Sequence, residues 1–149
     1  MEKEDKSTSS PFDSLAKVYD SWFDGEGRLT FNIELEALRE ALPPLPRPWL
    51  EVGVGTGRFA LALGVDQGID PSGEMLQLAR ERGLTVYAAR GEDQFFYSGS
   101  FGTVFIIMTL CFVESATAVL RETYRVLYTG GKLVLGFVPR ESPWGRYYQ

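Results

Sequence analysis

From Trp49 onward, short apolar runs alternate with helical patterns, and this alternation limits the possible folds more than any other feature. "WLEVG" reads as a buried strand and "GRFALAL" as a short helix. "QGID" ends a strand, and "PSGEMLQLARERG" follows as a helix with Gly83 at its C-terminal cap. "LTVYAA" is a strand, and "FGTVFIIM" is apolar enough for the centre of a sheet. "SATAVLRETYRVL" is a helix with Ala116, Val119, Leu120, Thr123 and Leu127 expected inward; "TGG" turns the chain into a last strand, "KLVLGFV". Strands that alternate with helices need crossovers. The pattern therefore predicts an α/β fold: a Rossmann-like, doubly wound, mostly parallel sheet with helices on both faces.

Two helices are expected upstream. Residues 1–10 are charged and Ser/Thr-rich, which predicts a mobile tail. Ser10 then suits a helix cap and Pro11 a first turn, and Phe12, Leu15, Ala16, Tyr19, Trp22 and Phe23 recur on one helical face. "DGEGR" breaks that helix. A second, over about 30–42, carries Phe31, Leu35, Leu38 and Leu42, and "LPPLPRP" stops it. With 149 residues, 44% of them hydrophobic, the chain has material for one core rather than two. We expect a single domain over 11–149, with N-terminal helices in 11–42 and the sheet in 49–139.

Several function classes recede on composition. No apolar run reaches the roughly 18 residues of a membrane helix, and "MEKEDKSTSSPF" lacks the apolar segment of a signal peptide. Cys111 is the single cysteine; it excludes an internal disulfide, suits a cytoplasmic setting, and is expected to be a small buried hydrophobe. The net charge is −5 and the basic residues are scattered, unlike a nucleic-acid binder. Histidine is absent, which removes the commonest general base and the commonest transition-metal ligand, so no metal site is expected.

The stretch "LEVGVGTGRF" carries the chemistry. Gly53, Gly55 and Gly57 follow a strand and precede a helix, where bare backbone can lie against a ligand. The alternative is a tight strand–helix turn. The dinucleotide fingerprint G-x-G-x-x-G would need glycine at position 58, which is Arg58, so a nicotinamide-dependent oxidoreductase is disfavoured. Glu51, two residues before the first glycine, suits a ligand with a cationic amino group. Asp70, at the end of "GID", can accept both hydroxyls of a ribose, or else cap the following turn.

Together these motifs resemble the class I S-adenosylmethionine-dependent methyltransferases, of the type 11 branch that acts on small molecules and includes ubiquinone- and menaquinone-type enzymes. "LEVGVGTGRF" resembles their first motif, "GIDPSGEML" the acidic second-strand end, and "ARGEDQFF" the loop beside the adenine. "FGTVFIIMTLCFVES" resembles the fourth strand and its loop, and "LRETYRVLYTGGKLVLG" the following helix and strand. The likeness runs from about Phe12 to about Pro139. It implies that Gly53, Gly55 and Gly57 let the backbone approach the methionine moiety, with Glu51 near its ammonium and Asp70 on the ribose. It implies Pro71 and Met75 near the adenine, Gly91 and Glu92 presenting backbone groups to its edge with Asp93 alongside, and Thr109 and Leu110 bordering the sulfonium. Tyr19 would close over the cofactor as part of a lid.

The sequence departs from the family at three places. Gly102 stands where relatives carry aspartate, "QFF" replaces a proline-containing "LPF", and Arg90 replaces an acid directed at the adenine. The family's C-terminal hairpin strands have no counterpart before "ESPWGRYYQ", which predicts an unpaired sheet edge and association, as a homodimer, through it. The implied activity is methyl transfer from S-adenosylmethionine, leaving S-adenosylhomocysteine, to a small-molecule acceptor by in-line displacement. The catalytic role is positioning, with Tyr19 and Thr109 as candidates. Asp20, Asp24 and Glu114, besides Tyr19, are candidates where the acceptor must lose a proton, and Tyr19, Trp22 and Phe23 suit an apolar or aromatic acceptor. The rival reading is a module that binds the cofactor without turnover.

Overall fold

The computed structural model describes Ser10 and residues 12–147. Except at Ser10, the expected mobile tail lies outside the described residues, as does Pro11. A 3-10 turn at Asp13–Leu15 leads into α1 (Ala16–Trp22) and α2 (Arg28–Ala41). Strands and helices then alternate: β1 (Trp49–Val52), α3 (Arg58–Leu63), β2 (Gln67–Asp70), α4 (Gly73–Glu81) and β3 (Val86–Ala88), then β4 (Phe101–Ile107), α5 (Ala116–Val126), β5 (Leu127–Gly136) and α6 (Pro143–Tyr147).

The strands form one sheet in the order β3-β2-β1-β4-β5, with every neighbouring pair parallel. The chain winds outward from β1 to β3, then crosses back to β4. The strand order therefore reverses between β1 and β4, and the loops after these strands flank a crevice. Period-two alternation divides the core. Leu50, Val52, Val104 and Ile106 pack with Val119 and Val126 of α5, whereas Phe105 and Ile107 pack with Ala60 of α3 and Leu76 and Ala79 of α4. All seven residues of β4 are buried, as its apolar run predicts.

The structure corrects several expectations. The hydroxyl of Ser10 accepts the Phe12 amide at 3.3 Å but caps no helix, and α1 begins only at Ala16. Of the apolar stripe on α1, Ala16 and Phe23 are buried, while Leu15, Tyr19 and Trp22 are exposed. Seven residues long, α1 rests on α4 and is tied through Asp20 to Arg58 at the start of α3. On α5 the buried stripe is Val119, Thr123 and Val126, at i, i+4 and i+7. Leu120, about 100° round the helix, and Ala116, in its first turn, lie at the surface.

"TGG" is a bulge inside β5 rather than a turn before it. Phe101 pairs with Leu127 and Thr103 with Lys132, so residues 128–131 bow out opposite Gly102 alone. The bulge presses Gly102 against its surroundings. A Cβ there would lie 2.5 Å from the Pro46 carbonyl oxygen and 2.7 Å from the Tyr128 hydroxyl. Glycine at 102 is thus a requirement of this packing.

No strand among the described residues pairs with the outer edge of β5, where Leu133, Leu135 and Phe137 are exposed. No described helix is long and apolar enough to cross a membrane.

Candidate functional site

The crevice is built from the loop after β1. Gly53 and Val54 both donate their amides to the Ile69 carbonyl at 2.9 Å, which pins the loop to the end of β2. The three glycines then have different reasons. Gly55, at φ +55°, has no atom within 4 Å of where a Cβ would stand, so its bare face opens onto free space. A Cβ on Gly53 would meet Thr109, and one on Gly57 would meet Leu84 and Ala79. Two of the three are therefore required by the protein's own packing. Gly55 alone offers unobstructed backbone.

Asp70 faces that backbone. Its Oδ2 accepts the Gly55 amide and its Oδ1 the Ser72 amide, both at 2.9 Å. Burial raises its pKa, the two amides work against that shift, and the Asp13 charge adds to it. Glu51, on β1, is 2% exposed, and its Oε2 has no hydrogen-bond partner. Burial pushes its carboxyl well above the usual range, and Asp70 pushes further. A buried acid with an orphaned oxygen beside a half-buried one suits a cation.

This arrangement has a measurable sign. Because the folded-state pKa of Glu51 lies above its ordinary 4.5, its contribution to stability is fully present below about 4.5 and is lost as pH rises through the raised value. The wild type should melt at a lower temperature at about pH 8 than at about pH 5, and Glu51→Gln should flatten that slope and melt higher at the alkaline end. An unchanged slope in the variant, read by thermal unfolding, would contradict this.

Tyr19, expected above to close over a cofactor, heads a row of aromatic rings. The ring of Tyr19 is edge-on to Phe23 at 5.2 Å, and Phe23 continues to Phe31 at 5.7 Å and Phe31 to Phe59 at 4.8 Å. Burial of its hydroxyl, then the charges of Glu51, Asp70, Glu34 and Asp20, push the Tyr19 pKa up to about 12. At neutral pH Tyr19 is therefore a hydrogen-bond donor and no base. Trp22 also meets Phe23 edge-on, at 5.1 Å, and covers Gly27, where its ring leaves no room for a Cβ.

Asp20 and Asp24, considered above as proton acceptors, are both bound to Arg58, at 2.9 Å in each case. Burial acts to raise the Asp20 pKa, but hydrogen bonds from Arg58, Arg82 and Thr56 outweigh it and hold the carboxyl far below its usual range. Glu114 is exposed and paired with Arg90 at 2.8 Å. None of the three is a free base.

The remaining positions divide. Met75 is buried in the core, while Pro71 is exposed at the turn after β2. Thr109 donates to the Ile107 carbonyl at 3.0 Å and fills the space over Gly53; Leu110 packs against the core on the α5 side of the sheet. Met108, between them and β4, has φ +53°, a strained value for a side-chain-bearing residue that turns the chain back at the crevice. Gly91 is wedged against Val52 and Val119, and its carbonyl accepts Gln94 Nε2 at 3.1 Å. Glu92 spends its carboxylate on the Glu114 amide at 3.0 Å, and Asp93 is exposed. Arg90 turns to Glu92 and Glu114. Cys111 is exposed, against expectation, because it lies in the loop that leaves β4 after the strand's buried run has ended.

Sequence reasoning missed Arg58 as a structural partner, and with it Arg82, Asp13, Gln94 and Met108. Asp20 and Asp24 stand four apart on one helical face, a spacing that can hold a single guanidinium. That was the one available signal.

With this geometry in hand, the likenesses to known proteins are informative. Residues 50–135 match the family model described as a methyltransferase domain. An uncharacterised protein of Mycobacterium tuberculosis is 48% identical over 134 residues, which are 89% of this chain and 47% of that protein. A ubiquinone/menaquinone biosynthesis C-methyltransferase of Rhizobium johnstonii is 32% identical over 89% of this chain and 58% of its own length. A crystal structure of an S-adenosylmethionine-dependent methyltransferase from Thermotoga maritima, described as a possible histamine N-methyltransferase, superimposes with a TM-score of 0.85 at 38% identity. That superposition covers 92% of this chain and 65% of the other. The chain thus spans about half the length of the curated relatives it matches best among those named here.

Proposed function

The chain belongs to the class I S-adenosylmethionine-dependent methyltransferases, and from that premise we propose that its crevice binds this cofactor and directs the methyl group to a small-molecule acceptor. The observation that carries the reading is the bare Gly55 backbone beside Asp70, above the buried and unpartnered Glu51 oxygen. Free space along the peptide fits a nucleoside with an amino-acid tail, and the uncompensated acid fits that tail's ammonium.

When bound, the cofactor supplies a methyl group already activated by its sulfonium. The protein's share is alignment. Asp70 is placed to exchange an internal amide for ribose hydroxyls, and Gly55 leaves the approach open. Tyr19, protonated at neutral pH, closes the crevice and offers a donor, while Thr109 shapes the wall over Gly53. Holding acceptor and methyl in line at near-attack distance is the main contribution such a site makes. With Asp20, Asp24 and Glu114 engaged in ion pairs, no base is assigned.

Of the three proteins named above, one is described as a ubiquinone/menaquinone biosynthesis C-methyltransferase and another as a possible histamine N-methyltransferase. We extend a small-molecule acceptor class to this chain. Calorimetric titration with S-adenosylmethionine, S-adenosylhomocysteine and NAD tests the reading: the first two should bind and NAD should not. Binding of NAD alone would overturn it. Because the chain spans about half of its relatives, a second reading stands beside the first, a cofactor-binding unit without turnover. Binding with no transfer across a screen of small amines and aromatics would favour it.

Two further parts of the reading concern setting and assembly. The exposed thiol of Cys111 suits a reducing cytoplasm. The open edge of β5, with Leu133, Leu135 and Phe137 exposed along and beyond it, suits pairing with a second copy. Light scattering at high concentration should give twice the chain mass. A single-chain mass would rule this out.

A further inference from the structure

Arg58 follows the third glycine directly and begins α3, yet its side chain reaches back to the lid. Its Nε donates to Asp20 Oδ1 at 2.9 Å, and Nη2 reaches Asp20 Oδ2 at 3.1 Å and the Asp20 carbonyl at 2.9 Å. Nη1 and Nη2 meet the two oxygens of Asp24, each at 2.9 Å. Arg82 completes the group: Nη2 lies 2.7 Å from Asp20 Oδ2, and Nη1 donates to the Thr56 carbonyl, inside the glycine loop, at 3.0 Å. The Arg58 and Asp20 side chains are only 16% and 14% exposed, so water and salt screen their pairing weakly. Asp24, at 73%, is the exposed arm.

The other end of the lid is tied as well. Asp13 accepts the Ser72 hydroxyl at 2.6 Å and the Glu74 amide at 3.4 Å, at the start of α4. The segment from Asp13 to Asp24 is therefore fastened at one end to the turn after Asp70 and at the other to the end of the glycine loop. Tyr19 lies between the two fastenings, next to Asp20.

We propose that Arg58 is a positioning residue that clasps the lid to the cofactor loop, holding Tyr19 over the crevice so that the cofactor leaves only when the clasp opens. This rests on the cofactor reading above. The chemistry favours arginine, because the five donors of its planar fork reach both oxygens of two carboxylates and a carbonyl, where an ammonium has only three donors. The clasp acts on departure: binding to an open lid needs none of these bonds, whereas release from a closed one must break them.

The test is stopped-flow measurement of S-adenosylhomocysteine release and association for the wild type, Arg58→Lys, Asp20→Asn, Asp24→Asn, Tyr19→Phe and the Arg58→Lys/Tyr19→Phe pair. Release should quicken roughly tenfold in Arg58→Lys and Asp20→Asn, where a largely buried pair is weakened, and about twofold or less in Asp24→Asn, whose pairing is exposed. Association should change little. Because Arg58 acts through Tyr19, the double variant should release no faster than the faster single one, an epistasis that a merely structural role would not produce. Unchanged release in folded Arg58→Lys and Asp20→Asn, or additive effects in the pair, would overturn the clasp. Should these variants fold poorly, amide exchange of α1 in the wild type decides: slowing on S-adenosylhomocysteine binding supports the clasp, and no change overturns it. Failure of the wild type to bind S-adenosylhomocysteine in calorimetry is a separate result, and overturns the cofactor reading with everything built on it.

Discussion

Gly102→Asp should destabilise this chain by about 3–5 kcal/mol, combining overpacking with burial of a charge. For a domain of this size, such a loss lowers the melting temperature by roughly 10 °C. The reason is local. The Cβ would stand 2.5 Å from the Pro46 carbonyl oxygen, which Thr103 Oγ1 already contacts at 2.8 Å, and 2.7 Å from the Tyr128 hydroxyl. Backbone on one side cannot give way, and a carboxylate there would face a carbonyl oxygen. Gly102→Ala should show the steric part alone, at about 1–3 kcal/mol. Thermal unfolding followed by circular dichroism reads both, and an aspartate variant as stable as the parent would refute the packing argument.

Asp70→Ala should weaken S-adenosylhomocysteine binding by about 1–3 kcal/mol, roughly 5- to 150-fold, the scale of a lost hydrogen bond to a charged group. Its carboxylate now accepts the Gly55 and Ser72 amides, so the loss also loosens the glycine loop. Calorimetry together with the melting temperature separates the effects. A lowered melting temperature with affinity intact would remove Asp70 from ligand recognition and leave it as a loop support.

What the sequence could and could not disclose follows from the range of each interaction. The alternation from Trp49 to Gly136 is local, and it announced the parallel sheet, its central apolar strand and the crevice beyond β1. The glycine loop was legible as a loop, but the separate duties of its glycines were not. Gly57 is small because Leu84 lies against it, and Gly53 because Thr109 does; neither neighbour is near in sequence. The stripe on α1 was legible as an apolar face, but spacing does not reveal what covers it, and only Ala16 and Phe23 of it are buried. Arg58 meets Asp20 and Asp24 across 38 and 34 residues, so two acids that looked available as bases proved to be anchors. Cys111 was judged by its residue type, and its place in a loop after a strand decided otherwise.

The bulge in β5 also sets a length. Residues 128–131 leave the regular ladder, so evenly spaced pairing with β4 resumes only at Lys132 and continues to Gly136. Any strand added to the outer side therefore finds a uniform template of about 16 Å, at roughly 3.3 Å per residue. A guest much longer than that must kink or overhang, and so the asymmetry created by two glycines inside one strand selects for short, staggered company.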